Sequence, residues 1–261
     1  MTLIGYVQQL AATGRYYFTS QEAEKALGIS RKACNMALIR LRKKGMIATP
    51  AKQFHLFIPP EYTVAGCLPP EQFIPHLMKY WKLPYYVCLL SAAEYYGAAH
   101  QKPRYFQVMT TINKPDLKCG QVHVCFIKKA NIIEACYKTF NTARSVVAVS
   151  TPETTAMDLI NYPWQSGGLS HVATVLAELA ETIDKHKLVQ LAIKSKHPAW
   201  VQRLGYILAI VGHSELANAL KNALQHKKMR VIPLNSDLSM TGYPRDYDWQ
   251  VVINMKIESD V

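Results

Sequence analysis

The sequence predicts an α+β protein: an N-terminal winged helix-turn-helix followed by a larger α+β domain made of an antiparallel sheet and a helical pack. Three observations carry this. Between Phe18 and Pro59, cap, glycine and wing signals come in helix-turn-helix order. Beyond Pro59-Pro60 and Pro69-Pro70 the apolar pattern turns strand-like over Tyr105 to Thr111 and Gln121 to Lys128, then becomes helical after Gly167-Gly168. Strands grouped first, helices next and short strands last argue against a repeated βαβ unit.

The elements follow in order. Thr2 to Ala12 places Leu3, Ile4, Val7, Leu10 and Ala11 at helical spacing, which suits a first helix backing the helix-turn-helix pair. Thr19 or Ser20 can cap a short helix, Gln21 to Leu27, and Gly28 stands where the chain must enter the left-handed region to leave it. Ser30 can cap a second helix, Arg31 to Lys44, closed by Gly45. Met46 to Ile58, with Pro50 in its middle, reads as a two-stranded wing. Residues 1–60 are therefore expected to be a DNA-binding domain. Residues 61–70 read as a linker, because paired prolines continue neither helix nor ladder. Residues 71–261 read as the larger domain.

In that domain Glu71 to Trp81 is expected to be helical despite Pro75. Tyr85 to Tyr96 (YYVCLLSAAEYY) is apolar nearly all round and reads as one buried helix. The strands 105–111 and 121–128, joined through Asn113 to Gly120, are expected to form an antiparallel hairpin, with Ser145 to Val149 as a third strand. Thr151 can cap a helix with Pro152 at its first position and Glu153 in its first turn, running to about Asn161. Helices near 169–183, 185–196, 198–211 and 213–226 follow. Strands at Met229 to Pro233 and Asp248 to Met255 end the chain.

The formal net charge is +12. Residues 1–60 hold nine Lys or Arg against two acidic residues, so charge density is highest where a duplex would dock. Projected at 100° per residue, the second helix puts Cys34, Ala37, Leu38 and Leu41 on one side and Lys32, Asn35, Met36, Ile39 and Lys43 on the other, flanked by Arg31 and Arg42. An apolar stripe opposite a basic, Asn-bearing face fits a recognition helix in a major groove. Phosphate contacts are expected from Arg31, Arg40, Arg42, Lys43, Lys44 and the wing residue Lys52. Base contacts are expected from Lys32, Asn35 and Met36. Ser20 and Ser30, at the two helix starts, complete the DNA-contacting set. A solvated basic helix, or a winged helix that binds protein, is the competing reading.

Other chemistry has less support. The six cysteines (Cys34, Cys67, Cys88, Cys119, Cys125 and Cys136) form no CxxC and read as reduced thiols of a cytoplasmic protein. Met1 to Leu10 contains Gln8 and Gln9 and has no basic start, so no signal peptide is expected, and no apolar run reaches membrane-span length. Cys119, His123 and Cys125 share strand parity but lack a fourth ligand, so neither metal nor cofactor is expected. Glu178, Glu181 and Asp184 near His186 and Lys187 read as a solvated helix face, and no nucleotide-binding or hydrolase motif is present. The tyrosines at 85, 86, 95, 96 and 105 could stack on single-stranded nucleic acid, although packing is the commoner use.

Five segments resemble the AbiEi-type antitoxins of type IV toxin–antitoxin systems: RKACNMALIRLRKKGMI, YYVCLLSAAEYYGAAHQKPRYFQVMT, VVAVSTPETTAMDLI, WVQRLGYILAIVG and WQVVINMKIESD. They occur in family order and span nearly the whole chain. Thr154 and Ala156-Met157 depart from the family's usual basic residue and leucines. The resemblance implies an N-terminal domain that binds double-stranded operator DNA, commonly inverted repeats, and represses its own operon. It implies a C-terminal domain that counters a nucleotidyltransferase-like toxin, generally without a stable complex and without catalysis of its own. Whether the chain is a monomer or a dimer is left open. Arg203, beside Gly205, is expected to salt-bridge inside the helical pack. Two alternatives stand beside this reading: a ligand-gated winged-helix regulator with a pocket in the tyrosine-rich region, and an enzyme acting on nucleic acid or the toxin.

Overall fold

A computed structural model describes residues 1–99, 103–132, 136–195, 197–225 and 229–258. The fold is mixed α+β, as expected. By packing, the chain divides into two units. The first comprises 1–87, 104–134 and 138–148; the second comprises 88–103, 135–137 and 149–261.

The first unit begins with α1 (Leu3–Ala12), β1 (Tyr17–Thr19), α2 (Ser20–Leu27), α3 (Arg31–Lys43), β2 (Ile47–Ala51) and β3 (Phe54–Phe57). The wing gains a strand that the sequence reading missed: β1 pairs with β3, and the sheet order is β1-β3-β2, antiparallel throughout. Three helices with this sheet are compatible with a winged helix. Pro50 is accommodated at an irregularity in the β2–β3 pairing between Ala48 and Ala51.

The sheet is buried on both faces. Phe18 and Ile47 pack with Leu3, Val7, Ala23, Cys34, Leu38 and Leu41 from the three helices. Phe54 and Leu56, of opposite parity, pack with Phe73, Leu77 and Met78 of α4 (Pro70–Trp81). Segment 61–70, read as a linker, contributes Cys67 and Leu68, both fully buried, to this second core. Arg144 also ties it down, donating to Glu61 (2.8 Å) and to Gln72 (2.7 Å).

A six-stranded sheet completes the unit, in the order β6-β7-β5-β4-β9-β8. Its strands are β4 (Tyr85–Val87), β5 (Phe106–Thr110), β6 (Leu117–Cys119), β7 (Val122–Lys128), β8 (Tyr137–Asn141) and β9 (Val146–Ser150). Two expectations fail here. Tyr85 to Tyr96 is not one helix: Tyr85–Val87 pairs antiparallel with Val108–Thr110, the chain turns at Cys88-Leu89 with Leu89 at φ 52, and only Leu89–Glu94 is helical (α5). The β-prone Tyr-Tyr-Val triplet takes the ladder on offer, which outweighs local periodicity. Nor do the strands near 105–111 and 121–128 form a hairpin. They pair in parallel, because residues 117–119 make their own strand and turn back into β7. Gly120 at that turn has φ +57, and a Cβ there would lie 2.1 Å from the Ala65 carbonyl oxygen.

The second unit is mainly helical: α5, α6 (Pro152–Asn161), α7 (Leu169–Leu179), α8 (Lys185–Lys194), α9 (Ala199–Ile210) and α10 (Ser214–Leu224). Thr151 caps α6 as expected, with Pro152 at its start. Nearly every residue of α6 is buried, and it packs against α5, α7, α8 and α9. A small sheet, β10-β12-β11, is formed by Ile232–Pro233 (β10), Arg245–Asp246 (β11) and Val251–Val252 (β12). The Trp249 indole lies over Gly205 of α9, where a Cβ would come within 2.1 Å of the ring. Arg203 does not salt-bridge: among the described residues its one hydrogen bond is from Nε to the Pro233 carbonyl (3.0 Å).

Of the carboxylates weighed for catalysis, Asp184 has a structural role: it caps α8, accepting from the backbone N–H of His186 and Lys187, and its own N–H donates to buried Glu153. Cys119, His123 and Cys125 do not converge. Cys119 faces Cys67, whose thiol donates to it; His123 lies against Tyr105; Cys125 lies beside Asp116. Among the described residues no helix is long and apolar enough to cross a membrane.

Candidate nucleic-acid interface

The element that presents the basic face is set by its ends. Thr19 caps α2 in a reciprocal box: its Oγ1 accepts from the Glu22 N–H (3.2 Å), and the Glu22 carboxylate accepts from the Thr19 N–H (2.7 Å). Burial would raise the Glu22 carboxyl, but bonds from Arg15 and Thr19 outweigh that and hold it below the usual range. Gly28 closes α2 in the left-handed region (φ 62), so α3 starts at once, capped by Ser30, whose Oγ accepts from the Ala33 N–H.

Cys34, Leu38 and Leu41 point into the core, as the helical projection requires. Arg31, Lys32, Asn35, Met36, Ile39, Arg40, Arg42, Lys43 and Lys44 are all exposed. The outward face is two rows rather than one. Arg31, Asn35, Ile39 and Arg42 line a cleft of about 370 Å³ whose opposite wall is Thr49, Lys52, Gln53 and His55 of the wing. Lys32, Met36, Arg40 and Lys43 lie a row further round and do not line it. A spacing of 4, 4 and 3 residues keeps the first row aimed at the wing. Ile39, awkward on a polar face, sits in the cleft wall. Among the described residues none of these cations is paired with a carboxylate, and no carboxylate lines the cleft.

Ser20 also lines this cleft. It is buried, and its hydroxyl is engaged 2.9 Å from His55 Nε2. The sequence reading passed over His55, which sets the cleft floor. Its Nδ1 lies 3.0 Å from Thr49 Oγ1, and its ring packs 5.2 Å from that of Phe18. Burial first, and the nearby Arg42 charge second, push its pKa down to about 4. The ring is therefore neutral at physiological pH, one nitrogen donating and the other accepting, and it ties the wing to the start of α2. The one available signal was His55 alternating with Phe54 and Leu56 in a strand where both parities turn out to be buried.

The site is thus an α-helix edged by a cationic cleft and a β-wing, an arrangement compatible with a winged helix. Residues 85–210 match the family model of the AbiEi antitoxin C-terminal domain, which is consistent with an AbiEi-type antitoxin and bears out the resemblance seen in the sequence. An antitoxin domain of this kind supports an antitoxin role in a toxin–antitoxin system. Among solved structures the chain is similar to the RV2827C protein from Mycobacterium tuberculosis. The identity is 18%, the TM-score is 0.66, and the alignment covers 95% of this chain and 89% of that one. No curated protein matches.

Proposed function

We propose that the chain is a cytoplasmic, DNA-binding autorepressor that also serves as the antitoxin of a type IV toxin–antitoxin pair. The observation that carries the DNA-binding part is the two rows of cations on α3 that have no carboxylate partner among the described residues, one of them facing the wing across a cleft. Residues 1–60 act as the DNA-binding module, with α3 in the major groove of operator DNA. Lys32, Asn35 and Met36 read bases, and Arg31, Arg40, Arg42, Lys43, Lys44 and Lys52 meet phosphate. Ser30 offers the start of α3 to a phosphate. The antitoxin part rests on the family match over 85–210. The toxin is nucleotidyltransferase-like and is countered without a stable complex and without catalysis by this chain.

The test is a fluorescence-anisotropy titration of the full chain on a duplex from upstream of its own coding sequence and on a random duplex, at several salt concentrations. Lys43→Ala should weaken binding to both and lower the slope of log K against log salt by about one unit. Asn35→Ala should erase about 1–3 kcal/mol of preference for the first duplex. Both affinities unchanged in both variants would put α3 outside the groove. Co-expression with the adjacent toxin should restore growth without co-purification.

A further inference from the structure

We propose that a cleft in the second unit, between the end of α6, α9 and the loop after β10, is a binding site for a small organic anion: a carboxylate or phosphate head on a short apolar or flat body. Its walls include Arg203, Asn161, Ser236, Trp164, Leu169 and Met255, and its volume is about 130 Å³.

Arg203 carries the argument. It projects from α9 between buried Gln202 and Leu204 and is itself only partly exposed. Its Nε is spent on the Pro233 carbonyl, which fixes the guanidinium plane and leaves the two terminal nitrogens as a fork. Among the described residues no carboxylate pairs with it. A cation withdrawn from water with only a neutral carbonyl for company is costly, and an anion in the cleft would offset that cost through a bidentate, charge-assisted contact. Burial also pulls the Arg203 pKa below its ordinary value, and among the described residues no anion opposes that.

The rest of the cleft is built rather than loose. Buried Asn254 holds the loop from inside. Its Nδ2 donates to the carbonyls of Asn235, Leu238 and Ser239 (2.8, 3.0 and 3.2 Å), and its Oδ1 accepts from the Asn235 N–H (2.9 Å). Asp237 is turned to the Trp164 indole N–H (2.6 Å), which pins the exposed ring at the cleft wall. Asn161 and Ser236 add neutral polar groups; Leu169 and Met255 add apolar surface. The volume suits a head group and a few further atoms, below the 300 Å³ or so at which drug-sized pockets begin.

Thermal-shift and calorimetric titrations of the full chain with inorganic phosphate, benzoate and a nucleoside 5′-monophosphate, at matched ionic strength, test the site. At least one probe should raise the melting temperature saturably, and the strongest names the head group and body. Arg203→Met should abolish the effect. Because that variant removes a partly buried side chain, Asn161→Asp serves as the second. It changes an exposed residue and puts a negative charge on the cleft wall, so it should weaken the same probe at least tenfold without moving the melting temperature of the free protein by more than a few degrees. No saturable shift with any of the three probes, or equal binding by wild type and Asn161→Asp, overturns the proposal. Neither result bears on α3 and DNA.

Discussion

His55 gives the sharpest quantitative expectation. Its imidazole is tied between Ser20 and Thr49 and is held neutral, with a pKa of about 4 against 6.5 in a solvated chain. Between those values the unfolded chain binds a proton that the folded one refuses. Stability therefore falls as pH drops from about 6.5 to about 4, and it is insensitive to this group above pH 6.5. At 1.36 kcal/mol per pKa unit the full loss is roughly 3 kcal/mol. His76 is also pushed down, mainly by burial, so a pH series on wild type alone would mix the two. The difference between wild type and His55→Gln isolates the term, since the amide can bond both hydroxyls but does not titrate. Urea unfolding followed at pH 7.5, 6, 5 and 4 should show the wild type losing roughly 3 kcal/mol more than the variant, and imidazole NMR should find no His55 titration above pH 5. A His55 that titrates near 6.5, or parallel pH profiles for the two proteins, would refute the neutral-floor account of the cleft.

Three further substitutions probe single contacts. Thr19→Ala removes the capping box of α2 and should cost about 1–2 kcal/mol in urea unfolding, with faster amide exchange at Glu22. Gly120→Ala forces a Cβ toward the Ala65 carbonyl at positive φ and should destabilise the first unit by roughly 2–4 kcal/mol, read from the denaturation midpoint. Gly205→Ala would raise helix propensity by about 1 kcal/mol, yet it should be destabilising by roughly 1–3 kcal/mol, because the new methyl meets the Trp249 indole; a blunted tryptophan fluorescence transition would report it.

What the sequence determined unaided was whatever is decided within a turn or two of chain. Ser30 as cap, Gly28 as stop, Cys34-Leu38-Leu41 as core stripe, Thr151-Pro152 as a helix start and the four later helices are all local matters of periodicity, capping and φ preference. The cationic face of α3 was readable for the same reason. Tertiary structure decided what depends on a partner distant in sequence. Tyr85 to Val87 became a strand because Val108 to Thr110 offered a ladder. β5 and β7 came to lie parallel because residues 117–119 made a strand of their own. Ser20 found its partner in His55, thirty-five positions away, and Arg203 found a carbonyl rather than, among the described residues, a carboxylate. Side-chain period and capping are properties of neighbouring residues. Ladder pairing and the satisfaction of buried polar groups are properties of the packed chain, and no window on the sequence contains them.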